Sequence, residues 1–180
     1  VTVDPVDEAG RAAYAVGTLK VIDEERSEKD ELMAKAERDS LTGLLNSETT
    51  RRRIAQQVDA LGEGERGALI MVDIDRFKEF NDTFGHLEGD HALVDVARIL
   101  RESFRVGDVV GRLGGDEFMV YLNNVKDSAV VKEKCEAVRR AVERRASSDS
   151  ERRITISTGS ALSKPGESFD DLYRRADEAL

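Results

Sequence analysis

Ala68-Leu69-Ile70-Met71-Val72-Asp73-Ile74-Asp75 opens with an unbroken apolar run and closes by alternating acid, apolar residue and acid. Large apolar residues in continuous sequence, stopped by an acid, have the pattern of a buried central strand. The Asp73 carboxylate should therefore emerge where that strand leaves the core, and the period of two residues puts Asp75 on the same face. Downstream, Leu93, Val96, Ala97, Leu100 and Phe104 recur at helical spacing, as do Val131, Cys135, Val138 and Val142. Two short strands, Val109 to Leu113 and Glu117 to Leu122, flank Gly114-Gly115, a tight-hairpin signal because both glycines tolerate positive φ. Ile154 to Leu162 reads as another strand, and a last helix starts near Ser168 and runs on to Leu180. Helix, strand, helix, hairpin, helix, strand, helix argues an α/β (α+β) fold, a ferredoxin-like mixed sheet covered by helices on one side.

Upstream of this block the texture changes. Residues 1–38 hold ten acids and six bases with few large apolar side chains. Tyr14 to Ile22 alternates as a single strand, which cannot bury both faces alone. From Asp23 to Arg38 there is neither Pro nor Gly, acids crowd the start and bases the end, and a connecting helix is expected. Its apolar positions, Leu32, Met33 and Ala36, do not establish a heptad seam. Arg51 to Arg53 reads as a solvated helix face.

With 37 acids against 28 bases among 180 residues, the chain has a formal charge of −9 and no overall field for nucleic-acid polymers. One cysteine makes no internal disulfide, and no apolar run approaches the roughly 18–20 residues of a membrane span, so a cytoplasmic, reducing setting is expected. Cys135 sits on an apolar helical stripe and reads as packing. His86 and His91 lack ligand partners at metal spacing.

Two acidic clusters bear on chemistry: Asp73-Ile74-Asp75 at the strand end, and Asp116-Glu117 directly after the glycine pair. Either alone is an ordinary polar turn. Together they offer hard oxygen ligands suited to Mg²⁺ or Mn²⁺, and without a cation they would repel one another.

Gly114-Gly115-Asp116-Glu117-Phe118 spells GGDEF, and the sequence resembles the GGDEF family of bacterial diguanylate cyclases from about Ala36 to Leu180. Asp39-Ser40-Leu41-Thr42-Gly43-Leu44-Leu45-Asn46 is similar to the family's opening D-x-L-T-G-L-x-N, and Asp73 to Lys78 to its D-x-D-x-F-K. Asn81-Asp82-Thr83-Phe84-Gly85-His86, Gly89-Asp90 and Arg174 to Leu180 match its N-D-x-x-G-H, G-D and terminal-helix patterns. The resemblance implies a fold like the nucleotidyl cyclase and polymerase palm, condensation of two GTP into cyclic di-GMP, and a homodimer at turnover. It implies that Asp73, the Ile74 carbonyl, Asp116 and Glu117 hold the metal, and that Lys78 and the amides around Arg76 and Phe77 lie near the phosphates. Asn81 and Asp90 would read guanine, and Gly114 and Gly115 would let the backbone approach the nucleotide. The family assigns proton acceptance to the position of Asp116. A metal-bound carboxylate is a poor base, so Glu117 and metal-bound hydroxide stay open as acceptors.

Arg105-Val106-Gly107-Asp108 is an R-x-x-D ending six positions before Gly114, where the family has a product-inhibition site. The family pattern continues past Leu180 with a lysine and an arginine that contact phosphates, so a GGDEF domain over residues 39–180 is expected to be truncated. Residues 1–25 resemble the tail of a PAS sensor, with residues 26–38 as a linker helix. The alternative to a cyclase is an inactive regulatory module that binds GTP or cyclic di-GMP.

Overall fold

Strand β1, Ala68–Ile74, occupies the middle of a four-stranded sheet, and only Asp73 of its seven residues is not fully buried. The computed structural model describes residues 36–146 and 153–180. The chain divides after Glu37 into two compact units, of which the second, from Arg38 on, carries the fold described here. The expected strand over Tyr14 to Ile22 and the PAS-like tail lie outside the described residues. So does the linker helix except at its end, where Arg38 instead forms a bridge with Leu45.

In chain order the elements are α1 (Ser47–Asp59), β1, α2 (Phe77–Phe84), α3 (His86–Ser103), β2 (Val109–Gly114), β3 (Glu117–Leu122), α4 (Ser128–Ala146), β4 (Ile156–Leu162) and α5 (Phe169–Asp177). Asn46 caps α1 by accepting from the Thr49 amide at 3.0 Å, and Ser168 caps α5 by accepting from the Asp171 amide at 3.2 Å. The sheet order is β2-β3-β1-β4, and all three pairings are antiparallel. The expected mixed sheet is thus antiparallel in its strands; parallel pairing is confined to the isolated Leu45–Gly111 bridge among the described residues.

Helices cover both faces of this sheet, not one. Ala68, Ile70, Val72 and Ile74 pack with residues of α3 and α4, including Val96, Leu100, Val138 and Val142. Leu69 and Met71 point the other way, into a cluster with Ile54 and Val58 of α1 and Leu172 and Ala176 of α5. A strand apolar at consecutive positions demands this, because adjacent side chains leave on opposite faces and each needs a cover.

Two further boundaries differ from expectation. The single helix expected between β1 and the hairpin is two, broken at Gly85 (φ 88°, ψ 158°). The last helix ends at Asp177 rather than running through Leu180, with Glu178 as its cap.

Two-sided cover has a measurable consequence. Leu172→Ala on α5 should cost about 2–5 kcal/mol, in the range of Leu100→Ala on α3, because both side chains are fully buried. Urea denaturation of the two variants checks this; a near-neutral Leu172→Ala would mean that the α1–α5 face is not core.

Candidate active site

The register of β1 builds the site. Asp73 stands opposite Glu117 of β3 on one side and Ser157 of β4 on the other. Burial and the neighbouring carboxylates of Asp116, Glu117 and Asp75 push Asp73 up to about 6. Four carboxylates therefore share one end of the sheet. Among the described residues, no three acidic, histidine or cysteine side chains are placed so that together they could hold a metal ion.

The four are not equivalent. Asp75 is tied down: it accepts from the Thr155 hydroxyl at 2.5 Å and the Ser157 hydroxyl at 2.6 Å, while its amide donates to the Thr155 carbonyl at 3.0 Å. It pins the start of β4 to the end of β1. Asp73, Asp116 and Glu117 have no such ties to neighbouring hydroxyls in the described structure. The Ile74 side chain is fully buried, which leaves its main chain as the part of that residue able to face the site.

Immediately after, Arg76 adopts a left-handed conformation (φ 55°, ψ 33°) and turns the chain into α2. A non-glycine residue held there stores about 1–3 kcal/mol of strain. The turn starts α2 without a side-chain cap, so its first-turn N–H groups are left for another acceptor. Phe77 packs against the core, while Lys78 is exposed in the same turn. Asn81 lies on α2, against Gly89 of α3; Asp90, the next residue, is exposed. The α2–α3 pair thus brings the two expected guanine readers to one helix junction.

Gly114 (φ 145°) and Gly115 (φ 55°) form the hairpin turn, in the region of backbone space that side chains disfavour. The β2–β3 register shifts between Arg112 and Gly114. What holds this turn is a residue to which the sequence reading gave no role. Arg112 donates from Nε and Nη2 to the Gly115 carbonyl, at 3.1 and 2.7 Å, and from Nη1 to Asp39 at 3.1 Å. Asp39 also accepts from the amide and hydroxyl of Thr42, at 2.9 and 2.6 Å. Burial alone would raise Asp39, but the Thr42 and Arg112 hydrogen bonds outweigh it and hold the carboxyl below its ordinary value. One planar guanidinium thus joins the opening Asp39 segment to the glycine turn. An arginine two positions before Gly-Gly, with an acid in the opening motif, was the available signal, but nothing in the spacing placed Asp39 near the hairpin.

Arg105 and Asp108 lie at the other end of β2 from the glycine turn, about 3.3 Å per residue away along the strand. Arg105 is exposed. Asp108 accepts from the Arg105 amide at 3.0 Å and the Asn123 amide at 3.3 Å, so its carboxylate already organises its own loop. His91 sits on the exposed face of α3, 3.8 Å from Glu88. Cys135 packs against the core and burial raises its thiol.

A four-stranded antiparallel sheet with carboxylates gathered at the exit of its central strand, beside a glycine hairpin, is the architecture of a nucleotidyl cyclase palm. Residues 36–180 match the family model described as "Diguanylate cyclase, GGDEF domain", and the chain belongs to that family. It is 36% identical over 165 residues to diguanylate cyclase DgcM of Escherichia coli K12, covering 88% of this chain and 38% of that protein. An uncharacterized signaling protein of Caulobacter vibrioides is 41% identical over 116 residues, covering 64% of this chain and 14% of that protein. The chain thus spans well under half of the length of these curated relatives. Among solved structures, the coiled coil and GGDEF domain of DgcB from Caulobacter crescentus, in complex with c-di-GMP, is similar with a TM-score of 0.82 and 29% identity, covering 93% of this chain and 90% of that one. Among the described residues no helix is long and apolar enough to cross a membrane.

Arg112 gives the test of this geometry. Its side chain is 12% exposed and that of Asp39 23%. Arg112→Ala should cost about 1.5–3 kcal/mol in a denaturant titration, the scale for losing a charged hydrogen bond. Arg112→Lys should not restore it, because one ammonium does not reproduce the fork. The pH dependence has a sign. With Asp39 depressed in the fold, its contribution is complete above the ordinary value of 3.8 and is lost as the pH falls through the lower folded value. The stability gap between wild type and Asp39→Asn should accordingly narrow below that pH.

Proposed function

We propose that this chain condenses two GTP molecules into cyclic di-GMP and two pyrophosphates as a metal-dependent symmetric dimer, a signalling output domain in the cytoplasm. The observation that carries the reading is the pairing of Asp73 with Glu117 across β1 and β3, next to the Gly114–Gly115 turn and Asp116. A half-buried carboxylate raised by desolvation and by three like charges, with hard oxygen donors around it, supports a divalent cation there. Mg²⁺ or Mn²⁺ held by Asp73, Asp116, Glu117 and the Ile74 carbonyl would supply positive charge against the triphosphate.

The chain's own groups do the rest. The uncapped amides of α2 and the Lys78 ammonium bind phosphate oxygens and stabilise the charge that grows on departing pyrophosphate. Asn81 and Asp90 orient guanine; a carboxylate accepts two parallel hydrogen bonds from guanine N1 and N2 and repels the corresponding edge of adenine. In each half-reaction a GTP 3′-oxygen bonds to the α-phosphorus of the other GTP, the bond from that phosphorus to pyrophosphate breaks, and the 3′-proton passes to a carboxylate. Asp116 holds that assignment in the family and Glu117 is the alternative. One chain presents one GTP, so two must face each other. Arg105 and Asp108 are assigned to an inhibitory product site, a reading supported by the c-di-GMP bound to DgcB.

Incubation of the purified protein with GTP and Mg²⁺, followed by chromatography of the nucleotides, should yield cyclic di-GMP. Asp116→Ala and Lys78→Ala should each lower turnover by about a hundredfold or more. GTP binding with no product would leave a regulatory binding module instead. In calorimetry, cyclic di-GMP should bind wild type and not Arg105→Ala; equal heats would remove Arg105 from the product site.

A further inference from the structure

Asp73-Ile74-Asp75 spells two equal acids, and the strand period sends both to one face. The structure gives them different neighbours. In the β1–β4 register Asp73 stands opposite Ser157 and Ile74 opposite Ile156, so the next step past the ladder sets Asp75 opposite Thr155. There the Asp75 amide donates to the Thr155 carbonyl at 3.0 Å and adds one more rung. Thr155 and Ser157, two residues apart, share the face of the acids, and both hydroxyls serve Asp75: Thr155 donates to Oδ2 at 2.5 Å and Ser157 to Oδ1 at 2.6 Å. Ser157 thus gives its proton to Asp75 although the register sets it opposite Asp73. Each oxygen of the Asp75 carboxylate is held from the β4 side, and swinging the group onto a cation would take from both hydroxyls the charged acceptor they now have.

The place of Asp75 in the chain gives this fastening a consequence beyond the sheet. Directly before it come Asp73 and the Ile74 carbonyl, the cation side of the site as proposed above. Directly after it come the left-handed Arg76 and the uncapped first turn of α2, the phosphate side. The main-chain spacing between the two sides passes through this one residue. We infer that Asp75 is a positioning residue and not a cation ligand: held by Thr155 and Ser157, it fixes the cation-binding end of β1 relative to the phosphate-binding start of α2, so that cation and triphosphate assist each other's binding. The inference rests on the cation and nucleotide reading above and deepens it. A cation on β1 and a triphosphate on α2 attract each other only where their separation is held, so a fixed spacing is a coupling between two affinities, and that coupling is reciprocal. With the hydroxyls removed, each half keeps its own ligand and the gain from binding both falls.

The test measures Mn²⁺ affinity, from the free-ion electron paramagnetic resonance signal, with and without a saturating non-hydrolysable GTP analogue; the ratio of the two is the coupling. Wild type should bind Mn²⁺ about tenfold more tightly with the analogue than without it. Ser157→Ala, alone and with Thr155→Val, keeps the Asp75 carboxylate and should bring the ratio down, in the double variant to about twofold, with little change in Mn²⁺ affinity in the absence of the analogue. Asp75→Ala should lower the ratio equally, and the hydroxyl substitutions added to it should have no further effect. Asp75→Asn, whose carboxamide accepts from one hydroxyl and donates to the other, should restore most of the ratio. Ser157 is exposed, so Ser157→Ala carries the test by itself where the double variant loses its fold by circular dichroism. Folded hydroxyl variants with the wild-type ratio overturn the inference. So does an Asp75→Asn protein that no longer takes up Mn²⁺ without the analogue, since Asp75 would then be a ligand. A wild type that binds Mn²⁺ and the analogue with no mutual gain overturns the inference and leaves both sites standing. A wild type that fails to bind Mn²⁺ or the analogue overturns the cation and nucleotide reading together with the inference.

Discussion

Asp73 ends a strand that is buried on both faces, and most of the site follows from that placement. Leu69 and Met71 commit one face of β1 to α1 and α5, and Ile70, Val72 and Ile74 commit the other to α3 and α4. A slip of one residue would exchange the two sets and turn Asp73 to the opposite face, so the packing of the core fixes where the carboxylate points. The same register sets it opposite Glu117 and Ser157. Burial and then repulsion within the resulting cluster are unfavourable for the fold taken alone, and together they raise Asp73 to about 6. The proposed role of such a cluster, at the exit of a strand buried on both faces, is to meet a cation and, through it, a polyanion.

The surrounding parts keep this cluster open. Asp75 is diverted to the hydroxyls of Thr155 and Ser157, which fastens β4 to β1. Arg76 takes up a strained turn so that α2 begins at once, presenting free amides next to the carboxylates. Arg112 braces the glycine turn through the Gly115 carbonyl and anchors it to Asp39. That anchor means that a displacement of the segment entering the domain at Arg38 and Asp39 bears directly on the loop that carries Asp116. The acidic net charge that argued against nucleic-acid polymers is, at this end of the sheet, the charge proposed to draw a dication.

Much of this was legible in the residues. The unbroken run before Asp73 marked β1, the glycine pair marked the hairpin, and the helical spacing of Leu93 to Leu100 and of Val131 to Val142 marked α3 and α4. The cover on the second face was not foreseen, because α1 and α5 contribute few large side chains, Ile54, Val58 and Leu172 among them, and their patterns are weak outside the context of the sheet. The break at Gly85 was hidden by sequence that favours helix on both sides of it. The role of Arg112 depends on a contact between residues 73 positions apart, which no local pattern encodes. The antiparallel pairing of β1 with β4 is likewise set by long-range packing rather than by either strand's own residues.

The carboxylates gathered by the register of β1 are proposed to bind a divalent cation. Titration of Mn²⁺ into the protein with a non-hydrolysable GTP analogue, followed by the loss of the free-ion electron paramagnetic resonance signal, measures this directly. Wild type should take up Mn²⁺ stoichiometrically and Asp73→Asn should lose that uptake while keeping its fold by circular dichroism. Equal Mn²⁺ uptake by the two proteins would contradict the account.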